Sequence, residues 1–208
     1  MRVAAIVPAY NEEKTIAGVV EILLQCPLIN QIVVVSDGST DRTAAIAKNF
    51  PIKVVELEEN VGKGGAMKAG AMVTEEEILL FIDADLVGLR RTHLEKLLNP
   101  VLAEECSMSV GVFAEGRLPT DLAQKIAPSL SGQRAVKREL FESVPKLERS
   151  RYGVELALTR YAEEHKINVL SVTLPELSQV MKEEKHGITQ GFAARLKMYW
   201  EILKSIKD

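Results

Sequence analysis

Residues 78–85 read Ile78-Leu79-Leu80-Phe81-Ile82-Asp83-Ala84-Asp85, five consecutive apolar side chains followed by two carboxylates. An apolar run without polar alternation predicts a strand buried on both faces, like the parallel strands inside an α/β sheet. Carboxylates without partners are costly in an apolar interior, so Asp83 and Asp85 must lie just past the carboxyl end of that strand, facing solvent or a cation. In an open α/β sheet that rim is where ligands bind. A hard divalent ion takes oxygen ligands and commonly completes its shell with phosphate oxygens, which makes Asp83 and Asp85 a candidate metal pair. The plain alternative is a solvated acidic turn.

Upstream of this strand, residues 3–7, 32–35 and 52–57 read as strands. Between them, Ile16, Val19, Val20, Leu23 and Leu24 follow helical spacing, and residues 43–48 and 64–73 read as further helices. Downstream, Thr92 and Glu95 read as a capping pair ahead of Leu94, Leu97, Leu98, Val101 and Leu102, and residues 107–113 form the next strand. The rhythm predicts an α/β fold with a doubly wound, mainly parallel central sheet and right-handed crossovers. The second half is less regular. It is read as a short helix at 119–127, a strand at 133–136, helices at 137–143 and 153–165, a strand at 167–174 and an amphipathic basic C-terminal helix at 191–207.

The bulk properties set limits. A chain of 208 residues with 47% hydrophobic and 26% charged residues can bury a real core in one domain. A formal net charge of -3 gives no reason to expect nucleic acid as a partner. Cys26 and Cys106 lack metal-ligand spacing and read as buried thiols of a reducing, cytoplasmic compartment. The apolar N-terminal stretch is too short for a signal peptide, and no run approaches the roughly 20 apolar residues of a spanning helix, so the protein reads as soluble or at most peripheral.

Each early strand ends in a polar segment of special geometry: Pro8-Ala9-Tyr10-Asn11-Glu12-Glu13, Ser36-Asp37-Gly38-Ser39-Thr40-Asp41, Asn60-Val61-Gly62-Lys63-Gly64-Gly65 and Asp83-Ala84-Asp85. In a parallel sheet these ends converge on one rim. Tyr10 offers a flat face for stacking a base. Asp37 can accept hydrogen bonds from an imide N–H or ribose hydroxyls, whereas Asp41 is placed to organise a helix start. Lys63 is a flexible cation between two glycines that allow close backbone approach. The segment is not a P-loop, and no Gly-x-Gly-x-x-Gly follows the first strand, which argues against NTPase and dinucleotide sites.

In order and spacing these four segments resemble family 2 nucleotide-sugar glycosyltransferases, which have the GT-A fold. The resemblance implies one GT-A domain over 1–208, with a nucleotide-sugar-binding half (1–115), an acceptor half (116–190) and the C-terminal helix (191–208). It implies a donor nucleotide lying against Pro8, Ala9, Tyr10, Glu12, Asp37, Gly62, Lys63, Asp83 and Ala84. Mg²⁺ or Mn²⁺ would bridge its diphosphate to Asp85, with Asp83 on ribose or a metal-bound water. Ser36 departs from the pattern, since many members carry a further aspartate there. Leu130-Ser131-Gly132-Gln133-Arg134-Ala135, Arg138-Glu139-Leu140 and Tyr152-Gly153-Val154-Glu155-Leu156 resemble a narrower branch, glucosyl-3-phosphoglycerate synthases and polyprenyl-phosphate glycosyltransferases. That places Ser131, Gly132, Gln133 and Arg134 on the sugar and acceptor side, with Arg117 in a loop that loosely matches a phosphate-acceptor segment.

The resulting expectation is transfer of a hexosyl group, glucose above all, from a UDP-sugar to a small phosphorylated or polyprenyl-phosphate acceptor. Asp85, Lys63 and Glu155 are the candidate catalytic residues. Glu155 is read as the carboxylate nearest the sugar, against the alternative of an exposed helix glutamate. Arg134 is read either as an acceptor-phosphate contact or as one half of a surface ion pair. His186 is a weak third metal candidate inside a charge run, and His93 and His165 are assigned to helix surfaces. The C-terminal helix either packs on the domain or a homodimer partner, or lies at the inner face of an anionic membrane. A sugar-phosphate nucleotidyltransferase and a non-catalytic nucleotide-sugar-binding module are the competing functions.

Overall fold

The computed structural model describes residues 1–113, 131–145, 147 and 153–179. The sequence readings over 119–127 and 191–207, and the residues Arg117, Leu130, Tyr152 and His186, lie outside these.

Among the described residues, seven strands form the central sheet: β1 (Val3–Ala9), β2 (Gln31–Asp37), β3 (Lys53–Leu57), β4 (Ile78–Phe81), β6 (Met108–Phe113), β7 (Arg134–Lys137) and β8 (Val169–Leu174). Their order is β3-β2-β1-β4-β7-β6-β8. β1 pairs in parallel with β2 and β4, and β2 with β3. β7 runs antiparallel to both β4 and β6, while β6 and β8 are parallel. Six strands therefore point one way, and β7 alone is reversed between two of them. The sheet is mainly parallel, as the alternation of apolar runs and helical patterns predicts. The reversal of β7 is not encoded in that alternation, because a strand's own pattern does not record its direction.

Helices cover both faces. β1 explains how: Val3, Ala5, Val7 and Ala9 enter one apolar cluster, and Ala4 and Ile6 enter the other. β4 and the residue after it divide the same way, with Ile78, Leu80 and Ile82 on one side and Leu79 and Phe81 on the other. The continuous apolar run of residues 78–82 thus feeds two cores. The first core takes α1 (Ile16–Leu24), α2 (Thr43–Ala47) and α4 (Arg91–Leu102). The second takes α3 (Lys63–Met72), α5 (Arg138–Ser143) and α6 (Val154–Glu164). α3 packs closely on the sheet because Gly70 carries no side chain; a Cβ there would run into Ile6 and Val35.

Two local expectations are corrected. α4 begins at Arg91, so Thr92 already lies inside its first turn and does not cap it. The N-terminal cap comes from His93, whose Nδ1 accepts from the Arg90 N–H at 3.2 Å, while Glu95 instead pairs with Arg91 at 2.7 Å. His93 is accordingly buried rather than on a helix surface. His165 is exposed and stacks on Tyr161. A short ribbon, β5 (Leu86–Val87) with β9 (Ser178–Gln179), links the segment after Asp85 to the end of the described chain.

Candidate active site

The carboxyl ends of β1 to β4 lie along one rim, and the reversed β7 brings its starting end to the same rim. Phe81 of β4 faces Arg134 of β7 in the ladder, so the antiparallel register leads 131–133 back past Ile82 and Asp83. The turns after β1 and β2 are stitched together there. Ser39 Oγ accepts from the Asn11 N–H at 3.2 Å, and Asn11 Oδ1 accepts from the Thr40 N–H at 2.9 Å. Thr43 Oγ1 accepts from the Glu12 N–H at 2.7 Å. Asp41 organises the start of α2 as expected: its Oδ1 accepts from the Thr43 N–H at 2.9 Å, and its Oδ2 accepts from the Glu13 N–H at 3.1 Å. Burial alone would raise the Asp41 pKa, but the hydrogen bonds from Thr43 and Glu13 outweigh it and hold the carboxyl below its ordinary value. Tyr10 stands half-open to solvent at the end of β1, with Pro8 and Glu12 partly buried beside it in sequence.

Asp37 ends β2 and is nearly fully buried. Its Oδ1 accepts from the Val61 N–H at 2.8 Å and its Oδ2 from the Gly62 N–H at 2.9 Å. The carboxylate thus shapes the loop that leads into α3. Gly62 takes φ 85° as the residue before that helix, a conformation for which glycine is suited. Gly38 packs so tightly on the same loop that a Cβ would meet the Asn60 nitrogen at 2.6 Å.

At the centre of the rim, Lys63 opens α3 and its Nζ lies 2.5 Å from Asp83 Oδ1 and 2.5 Å from Glu155 Oε1. It is not the flexible cation expected from its glycine neighbours but the shared counter-ion of two carboxylates. Burial alone would lower the Lys63 pKa; Asp83 and Glu155 reverse this and hold the ammonium well above its ordinary value. For Asp83, burial works upward, and Lys63, Gln133 and Arg134 together hold the carboxyl below its usual range. Glu155 is buried near the start of α6, so the exposed-glutamate reading does not hold.

Gln133, Gly132 and Arg134, assigned to the acceptor side, are each held by protein groups around the ion pair. Gln133 is fully buried, and its Nε2 donates to Asp83 Oδ2 at 2.8 Å while its Oε1 accepts from Ser131 Oγ at 3.1 Å. Gly132 lies against the ion pair, where a Cβ would overlap both the Asp83 carboxylate and the Lys63 ammonium. Arg134 is completely buried, with its guanidinium on the main-chain carbonyls of Ser131 and Glu155. Among the described residues it forms no surface ion pair, and both of its Nη groups are turned to the backbone. Nothing in the sequence signals these burials, because Gln and Arg are ordinarily exposed.

The structure also narrows the metal reading. Asp83, expected to form a metal pair with Asp85, has one oxygen on Lys63 and the other on Gln133. Among the described residues, no group of three or more His, Cys, Asp or Glu side chains could hold an ion. Half-buried Asp85, two residues past Asp83, is the remaining carboxylate of the motif. One carboxylate with phosphate oxygens and water suits Mg²⁺ or Mn²⁺, which is commonly held through its substrate rather than in an all-protein cage.

Strand order, two-sided helical cover and a carboxylate-bearing rim define a GT-A-type α/β fold. Residues 4–200 match the family model described as glycosyl transferase family 2, and the chain belongs to that family. It is 31% identical over 190 residues to glucosyl-3-phosphoglycerate synthase of Mycolicibacterium smegmatis, an alignment covering 75% of this chain and 62% of that protein. It is 33% identical over 99 residues to 4,4'-diaponeurosporenoate glycosyltransferase of Staphylococcus aureus, covering 45% of this chain and 26% of that one. The chain therefore spans less than two thirds of the length of these curated relatives. The crystal structure of glucosyl-3-phosphoglycerate synthase from Mycobacterium tuberculosis with Mn²⁺, UDP-glucose and phosphoglyceric acid superposes with a TM-score of 0.73 at 27% identity, over 86% of this chain and 71% of that one.

Proposed function

We propose that the chain transfers a glucosyl group from UDP-glucose to a small phosphorylated acceptor of the phosphoglycerate kind, with Mg²⁺ or Mn²⁺ held at Asp85. The observation that carries this reading is the gathering of Tyr10, the loop held by Asp37, the Asp83–Lys63–Glu155 cluster and Gly132 at one sheet rim. Support comes also from the Mycobacterium tuberculosis synthase, crystallised with Mn²⁺, UDP-glucose and phosphoglyceric acid and, separately, with Mg²⁺ and UDP.

In this reading Pro8, Ala9, Tyr10, Glu12 and Asp37 border the nucleotide, and Gly62 and Ala84 let it approach the backbone. Asp83 is held ionised by Lys63 and Gln133 to receive ribose hydroxyls. When bound, the divalent ion supplies a Lewis acid on the diphosphate leaving group. Lys63 adds positive charge at the same rim, and Glu155 is placed to hold hydroxyls of the transferred sugar. Ser131, bonded to Gln133, and Gly132, packed on the ion pair, border the sugar and acceptor side of the rim.

Incubation with UDP-glucose, Mn²⁺ and 3-phosphoglycerate tests the proposal, with UDP release followed by a coupled assay and the acceptor followed by mass spectrometry. Release of UDP with one hexose added to the acceptor is expected. Pyrophosphate release from glucose 1-phosphate and UTP, without UDP release in the first reaction, would make the chain a nucleotidyltransferase instead.

The finer parts of the reading are a cytoplasmic location and contact of the basic segment 191–208 with the inner membrane face or with a second copy of the chain. The location rests on Cys26 and Cys106 read as reduced thiols, and the contact on Phe192, Leu196, Tyr199, Trp200 and Leu203 set among basic residues. Among the described residues, no helix is long and apolar enough to cross a membrane. Co-sedimentation with anionic vesicles, set beside sedimentation of the protein alone, separates the two contacts.

A further inference from the structure

Arg134 is among the largest side chains fully withdrawn from solvent. Its Nη2 donates to the Ser131 carbonyl at 2.5 Å and its Nη1 to the Glu155 carbonyl at 3.2 Å, with Met108 Sδ 3.9 Å from Nη1. Its Nε–H finds no acceptor among the described residues. A buried guanidinium with an open donor is expensive, and an apolar side chain of similar volume is often as stable in such a place. What an apolar side chain cannot do is join two main-chain carbonyls belonging to different elements.

Both joined elements carry groups that touch the central ion pair. The 131–133 segment brings Gly132 against Asp83 and Lys63, and the Gln133 amide to Asp83. The first turn of α6 brings the Glu155 carboxylate to Lys63. We propose that Arg134 is a positioning residue for sugar transfer: by tying the Ser131 carbonyl to the Glu155 carbonyl, it fixes where the Glu155 carboxylate stands relative to the Asp83 rim. The inference rests on the transfer reading given above. Charge supports it, since Lys63 and Arg134 balance Asp83 and Glu155 within one cluster. Burial works to lower the Arg134 pKa, and the attraction of Glu155 and Asp83 opposes that. Because its donors face the backbone, Arg134 acts through Glu155 and does not touch substrate.

Arg134→Met and Arg134→Lys test this in the full chain. Melting temperature, calorimetric affinity for UDP-glucose with Mn²⁺, and turnover would be measured for each. The expected result is donor affinity within about threefold of the parent and kcat lower by about a hundredfold in the Met variant, the loss typical of an ångström-scale misplacement. Lysine keeps the charge but spans one carbonyl, so it restores about tenfold at most. Unchanged kcat in either folded variant overturns the proposal. So does a parallel loss of affinity, turnover and melting temperature that lysine repairs in full, since that pattern belongs to a purely structural residue. If the Met variant does not fold, the Lys variant carries the same comparison.

If the parent chain neither binds nor turns over UDP-glucose, the transfer reading fails, and the Lys63→Met/Arg134→Met double-mutant cycle decides the positioning role separately. Melting-temperature shifts that are not additive are expected, because both side chains act on Glu155; additive shifts overturn the role.

Discussion

Gly132 shows how much of the site depends on one missing methyl group. Its place against Asp83 and Lys63 leaves no room for a Cβ, and the two charged groups cannot retreat without giving up their 2.5 Å contact. Gly132→Ala is expected to lower turnover on the order of a hundredfold. Stability should fall by about 1–3 kcal/mol, the usual cost of overpacking, read as a shift in the denaturant midpoint. Turnover and midpoint both equal to the parent's would mean that the ion pair is not confined as described. Lys63, Asp83, Glu155 and Gly132 can all be singled out from the sequence by residue type and motif. Their mutual contact cannot, because the charged three lie on α3, after β4 and on α6, and local patterns carry no information about pairing at that separation. The burial of Gln133 and Arg134 is hidden for a different reason: both residue types are ordinarily exposed, and only the packed structure reveals the protein groups that each one bonds.

At the scale of the element, α4 offers a pH-dependent test. Its cap requires a neutral imidazole, because His93 Nδ1 accepts from the Arg90 N–H. Burial pushes the His93 pKa below 6.5, only partly opposed by its hydrogen bond to the Pro175 backbone. A folded-state pKa below the unfolded one means that the unfolded chain binds the extra proton first. The stabilisation from neutral His93 is therefore complete above the unfolded value near 6.5 and is lost as pH falls toward the depressed folded value. Glutamine can cap from the same third position without titrating. Thermal melts at about pH 7.5 and 5.5 should show a larger acid-side loss for the parent than for His93→Gln, by about 1 kcal/mol, the scale of one helix cap. Equal losses in the two proteins would count against a neutral capping role. The helix itself is evident from Leu94, Leu97, Leu98 and Val101, whereas its cap is misread two residues late, because Thr92 and Glu95 imitate the usual capping pair.

Across the whole molecule, the rim exists because parallel strands deliver their carboxyl ends to one side, and because the reversed β7 returns 131–133 to that side. The first half of this arrangement is written in the sequence: four apolar runs, each ending in a polar turn, suffice to place Tyr10, Asp37, Lys63 and Asp83 together. The contribution of β7 is not, since direction follows from tertiary pairing with β4 and β6. The central claim is that this rim is a donor site in which Asp85 holds the cation. Calorimetric titration of UDP-glucose into the parent chain and into Asp85→Ala, each with Mn²⁺ and with chelator, tests it most directly. The account predicts Mn²⁺-dependent binding by the parent, weakened at least about tenfold in Asp85→Ala at unchanged melting temperature, as expected when a metal ligand is lost. Equal Mn²⁺-dependent affinity in the two proteins would contradict it.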